Sequence, residues 1–172
     1  MPMKNIRKTF SLQKDQTDCG IGCLQSLVRY YGGDVSLETL REKSGTGRMG
    51  TTLLGLYQCA KEIGFNAEGC EADVDALIEH NQPVILHVIL EKKYQHYVVF
   101  YFRDSSETHQ FLIGDPVRGL EYWNEKQLRE AWISKTCLIL FPNENFEKKE
   151  ISILKRKNGS LIFSKKTLNL SV

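Results

Sequence analysis

An α+β fold with an antiparallel sheet is predicted by the order of patterns along the 172 residues. Apolar residues recur at helical three-and-four spacing up to about residue 80, whereas continuous β-branched runs take over after Pro83. The charged turn Glu91-Lys92-Lys93 joins the first two of those runs as a hairpin. With 41% hydrophobic and 26% charged residues, a chain of this size closes a core without help from disulfides or metals.

The first helix runs from Cys19 to Tyr31, with Ile21, Leu24, Leu27, Val28 and Tyr31 on one face, Asp18 as its cap and Gly32-Gly33 as its stop. Ser36 caps a short second helix to Lys43, and Gly45, Gly47 and Gly50 mark the loop that follows. Thr51 or Thr52 opens a third helix through Leu53, Leu56, Tyr57 and Ala60 to a stop at Gly64; Asp73 caps a fourth carrying Val74, Leu77 and Ile78. Val84 to Leu90 has the composition of a buried central strand, and Tyr94 to Phe102 returns beside it. Further strands are predicted at Gln110 to Ile113, Leu120 to Trp123 and Thr136 to Phe141, with one helix at Glu125 to Trp132. The compact unit is placed at residues 1–142, and 143–172 is read as a basic, irregular tail or linker.

Several function classes fall away. No apolar run approaches the roughly 18 to 20 residues of a spanning helix, and Met1 to Phe10 lacks the apolar core of a secretory signal, so a cytosolic protein is expected. Five cysteines at irregular spacing fit free thiols in a reducing compartment. Cys19 and Cys23 have no second close Cys or His pair to complete four ligands, so no metal is expected. Phosphate-loop and dinucleotide fingerprints are absent, and no other cofactor is implied. Residues 148–172 carry seven basic side chains against one acidic, while the rest carries 16 basic and 20 acidic. A net acidic body without aromatics interleaved in a basic patch argues against nucleic acid. The basic end is either a solvated terminus or a segment drawn to an anionic membrane surface.

Chemistry is signalled first at Cys19, in the first turn of a helix, where unpaired amides and the positive dipole end favour a thiolate. A small buried apolar side chain is the competing role. Of the four histidines, His96 follows a turn at the start of a strand, where an imidazole can face a cleft; His87 sits inside an apolar run, and His80 and His109 at element ends. Asp115, where a strand gives out before Pro116, is placed to orient His96 or to make an Asx-type turn. Gln13 supplies an amide donor suited to an oxyanion, a pattern that carries little alone.

Together, Gln13-Lys14-Asp15-Gln16-Thr17-Asp18-Cys19-Gly20, Gly50-Thr51-Thr52 opening a helix that ends Glu62-Ile63-Gly64-Phe65, His96-Tyr97-Val98-Val99 and Asp115-Pro116 carry a resemblance. From about Lys8 to Pro142 the chain resembles the bacteriocin-processing cysteine peptidases that form the N-terminal domain of peptidase-containing ABC transporters. The resemblance implies a papain-like fold, with a helical half carrying the nucleophile against an antiparallel sheet half carrying the base. It implies Cys19 as nucleophile, His96 as general base and then acid, Asp115 as its orienter and Gln13 as oxyanion donor. The implied substrate is the leader of a ribosomal peptide, cut after a Gly-Gly-type pair. The implied partners are the membrane and ATP-binding domains of an exporter, at the cytoplasmic face of a bacterial inner membrane. Met49, Leu53, Leu54 and Tyr57 are candidates for a groove that reads the leader, against the alternative that this helix face is core. Neither a transmembrane nor a nucleotide-binding segment is in the sequence, which fits an excised domain or a stand-alone relative; the basic, irregular tail from Lys148, like a linker approaching a membrane, favours the excised domain. Two other functions stay in view: a non-catalytic leader-docking module and a transglutaminase-like acyl transferase.

Overall fold

The computed structural model describes residues 3–105, 110–155 and 161–166. His109, read as a strand-start residue, lies outside them. Six helices are described: α1 (Met3–Thr9), α2 (Cys19–Tyr30), α3 (Leu37–Ser44), α4 (Leu53–Glu62), α5 (Val74–His80) and α6 (Glu125–Ala131). The main strands are β1 (Phe65–Glu71), β2 (Val84–Leu90), β3 (Tyr94–Arg103), β4 (Phe111–Asp115), β5 (Gly119–Trp123) and β6 (Thr136–Pro142).

Those six strands form one sheet in the order β1-β6-β2-β3-β4-β5, every neighbouring pair antiparallel, so the α+β expectation holds. Helices cover both faces. Ile21, Leu24, Leu27 and Val28 of α2 pack with Leu40 of α3, Leu56 of α4 and the sheet residues Ile85, Tyr97, Val99 and Tyr101. On the opposite face Val84, Leu86, Val88, Val98 and Phe100 meet Val74 and Leu77 of α5 and Leu128 of α6. The period-2 alternation of β2 and β3 thus feeds two apolar layers, which is why Val84 to Leu90 reads as an unbroken apolar run.

Helix starts follow the predicted chemistry at three places. Ser36 Oγ accepts from Thr39 N–H, Thr52 Oγ1 from Gly55 N–H and Asp73 Oδ1 from Ala76 N–H. Asn124 adds a capping box with Gln127. Before Pro142, two elements go beyond the sequence reading: α1, with Ile6 its buried residue, and β1, which pairs along β6.

Packing does not stop at Pro142, where the sequence placed the end of the compact unit. Asn143 N–H donates to the Gly64 carbonyl (2.9 Å), and the Phe146 ring meets Phe65 edge-on at 4.7 Å. Lys149 N–H donates to the Gly32 carbonyl (2.9 Å), and its ammonium pairs with Asp34. Beyond it, β7 (Glu150–Lys155) and β8 (Leu161–Lys166) form a separate two-stranded antiparallel sheet where an irregular tail was expected.

Candidate active site

Cys19 is the first residue of α2 and is partly exposed. Asp18, just ahead of it, does not cap the helix as expected: its side chain makes no cap hydrogen bond. With φ −93° and ψ 4°, its backbone lacks the extended conformation that aims a capping oxygen at the first turn. Its carboxylate, fully buried, instead accepts from Arg41 Nη2 of α3 (3.0 Å to Oδ1 and 2.8 Å to Oδ2) and from Asp15 N–H (3.1 Å).

Two neighbouring strands bring the partners in. His96 is the third residue of β3 and Asp115 the last of β4; His96 Nε2 donates to Asp115 Oδ1 at 2.8 Å. Asp115 is fully buried and also accepts Val117 N–H (2.8 Å), so the Asx-turn role and the orienting role coexist in one carboxylate. The Cys19 side chain is hydrogen-bonded to His96. With Nε2 committed to Asp115, Nδ1 is the ring nitrogen left for the sulfur.

Burial alone would push the His96 imidazole down, but the hydrogen bonds with Asp115 and Cys19 outweigh it and hold His96 up at about 9. Burial likewise works to raise the Asp115 carboxyl; the His96 hydrogen bond, then the Val117 N–H, keep it below its usual value. At neutral pH the site therefore holds an imidazolium between a carboxylate and a sulfur. A sulfur beside a proton donor, at a helix N-terminus, is the arrangement that thiol acyl transfer requires.

Gln13 is tied to the same corner, its N–H donating to the Pro116 carbonyl (2.9 Å), one residue past Asp115. Four residues dispersed from 13 to 115 are thus gathered where α2 meets the ends of β3 and β4. Two other histidines stand apart: the His87 ring lies tilted against Tyr97 (5.4 Å) and is pushed down by burial, and His80, at the end of α5, meets Phe141 edge-on (5.6 Å). Cys23 is fully buried, its thiol pushed up chiefly by that burial, as expected for the core face of α2.

The groove candidates divide. Met49 is 99% exposed and Leu54 62%, whereas Leu53 and Tyr57 pack partly buried against the core. The start of α4 borders the nucleophile turn, since a Cβ on Gly20 would touch Leu56 and Thr51 at 3.2 to 3.3 Å. Arg41 was absent from the sequence reading, because nothing local distinguishes it from any other basic residue in a polar helix end.

A model of the peptidase C39 family matches residues 7–145. The chain belongs to this family. It is 40% identical over 144 residues to the pediocin PA-1 transport/processing ATP-binding protein PedD of Pediococcus acidilactici, covering 81% of this chain and 19% of that protein. To the lactococcin-G-processing and transport ATP-binding protein LagD of Lactococcus lactis it is 33% identical over 144 residues, covering 83% and 20%. This C39 chain therefore spans about a fifth of the length of these relatives. Among solved structures, the peptidase domain of Streptococcus ComA, a bifunctional ABC transporter involved in quorum sensing, aligns with TM-score 0.70 and 34% identity, covering 77% of this chain and 97% of that one. A double-glycine-motif protease from an AMS/PCAT transporter, in complex with the leader peptide, aligns with TM-score 0.69 and 25% identity, covering 77% and 89%. Membership makes a cysteine peptidase the chemistry of the family, and the sheet-plus-helix architecture is the one these domains share.

Proposed function

We propose that this chain is the leader-processing peptidase unit of an ABC exporter, cutting the leader from a ribosomally made peptide after a double-glycine-type motif. The observation that carries this reading is the hydrogen-bonded line Cys19–His96–Asp115, its sulfur at a helix N-terminus and its imidazole held protonated. The thiolate of Cys19 attacks the carbonyl carbon of the second glycine, the oxyanion is held by the Cys19 N–H and the Gln13 amide, and the peptide bond to the cargo breaks as His96 gives its proton to the leaving amine. Water, deprotonated by His96, then releases the leader from the thioester. Asp115 keeps the ring oriented and its charge compensated throughout.

Glycines on the acyl side of the cut suit a narrow cleft, where a side chain would hold the carbonyl away from the sulfur. The leader-bound relative supports a peptide leader as the ligand class. Met49 and Leu54, both exposed, are assigned to leader contact, and Leu53 and Tyr57, partly buried against the core, to the floor of the same groove. That the relatives are transport and processing ATP-binding proteins supports partnership with the transport and ATP-binding parts of an exporter, and the unit is assigned to the cytoplasmic face of its membrane. Residues 150–172, with Lys155, Arg156, Lys157, Lys165 and Lys166 against Glu150, are assigned to the approach to the transport part of the exporter.

The test is incubation of the chain and its Cys19→Ala variant with a synthetic leader ending in Gly-Gly followed by a few cargo residues, with products read by mass. A single cut after the second glycine, lost in the variant, is expected. Binding of the leader without any cut would instead establish a docking module.

A further inference from the structure

The loop from Gln13 to Cys19 is pinned at both ends and in its middle. Gln13 N–H donates to Pro116; Asp18 N–H donates to the Asp15 carbonyl (3.1 Å), and Asp15 N–H returns to Asp18 Oδ2 (3.1 Å). Arg41, reaching across from α3, closes the clamp by donating through Nη2 to Asp15 Oδ2 (3.1 Å) and to both Asp18 oxygens. Asp18 has no exposed surface, whereas the Arg41 side chain keeps 32%.

That placement has an electrostatic consequence. A buried carboxylate one residue from a thiolate opposes the thiolate, because like charges in a poorly solvated site each disfavour the other. The Arg41 guanidinium, forked onto the same carboxylate, cancels that charge where it stands. Turning toward Arg41 also takes Asp18 off the helix end, so the first-turn N–H groups of α2 have no capping side chain from Asp18 and remain available for sulfur or oxyanion. Coupled to Cys19 by charge are His96 and Tyr97 from β3 and Cys23 within α2, with Asp115 from β4 behind His96.

We propose that Asp18 and Arg41 form a positioning pair for the nucleophile: the carboxylate sets the loop that carries Gln13 and Cys19, and the guanidinium neutralises it one residue from Cys19. The proposal rests on reading Cys19 as the nucleophile.

The experiment is the rate of iodoacetamide alkylation at Cys19 as a function of pH, read by peptide mass on the whole chain, which needs no leader. Arg41→Met exposes the sulfur to an uncompensated carboxylate, so the midpoint moves up by about one pH unit, or about tenfold slower alkylation on its acid side. Asp18→Asn moves it down, and Asp18→Asn/Arg41→Met returns it close to the parent value. In leader cleavage at neutral pH, Arg41→Met lowers kcat with KM retained, and Arg41→Lys recovers part of the loss. If near-ultraviolet circular dichroism shows Arg41→Met unfolded, Asp18→Asn alone reads the same coupling with opposite sign. Unmoved midpoints, or shifts of the same sign in both single variants, overturn the pair. Cleavage that survives Cys19→Ala would instead sink the nucleophile reading.

Discussion

His96 is where the charge balance of the site becomes measurable. Its ring is held protonated up to about 9 by Asp115 and Cys19 against the opposing effect of burial. A reaction that needs the imidazolium as proton donor therefore loses kcat/KM as pH rises through about 9, and a pH profile of leader cleavage should show that limb. Asp115→Asn keeps the shape of the partner but removes the charge; kcat/KM falls by roughly 10² or more, and the alkaline limb moves toward the ordinary histidine range near 6.5. Stability follows the same proton. A folded-state value above the unfolded one contributes fully below about 6.5 and is lost as pH climbs through about 9, so urea midpoints of the parent decline across that interval more than those of Asp115→Asn. Cys19, His96 and Asp115 were legible because each is a reactive or charged side chain near an element boundary, whereas Gln13, mid-loop, entered through the family resemblance. Arg41 and the turn of Asp18 were not, since an aspartate before a helix reads as a cap until its backbone angles and a cation from another helix are known.

At the level of elements, legibility tracked amphipathic contrast. The apolar face of α2 and the β-branched run of β2 announce themselves because both bury large aliphatic side chains. Strand β1, Phe-Asn-Ala-Glu-Gly-Cys-Glu, is buried fully only at Phe65 and is a strand because β6 pairs with it from far along the chain. Helix α1 offers one buried side chain in seven residues, too little for a periodic signal. Strand β4 carries a constraint that no local pattern reveals. A Cβ on Gly114 would stand 2.6 Å from Phe10 Cε2 and 2.9 Å from Tyr101 Cε2, one residue before Asp115. Gly114→Ala must therefore shift two rings or the strand, at about 1 to 3 kcal/mol of stability. Because the strand carries Asp115, the loss of cleavage should exceed what unfolding explains, which parallel measurement of urea midpoint and kcat would separate.

For the molecule as a whole, the question is how far the independently folded unit extends. Sequence patterning ends with the apolar run of β6, so a boundary at residue 142 is natural on hydrophobicity alone. Three-dimensional packing disagrees, because two glycines that read as helix stops also make room for Phe146. A Cβ on Gly33 would come within 2.7 Å of its ring, and one on Gly64, at φ +96°, within 2.5 Å of its Cα. The ring fills that space against Phe65, and the Lys149–Asp34 pair fastens the segment beyond it to the loop after α2. Residues 143–149 thus brace the helix that carries Cys19 against the β1 edge of the sheet. Phe146→Ala should cost about 2 kcal/mol, the value for truncating a half-buried aromatic, and ending the chain at 142 should cost at least as much. Ending it at 149 should retain the parent's stability, because the core contacts of Phe146 and the Lys149 links are then intact. Equal urea midpoints for chains ending at 142 and 149 would show that the segment only decorates the fold. A large gap would show that residues 143–149 belong to the folded unit and brace the nucleophile helix.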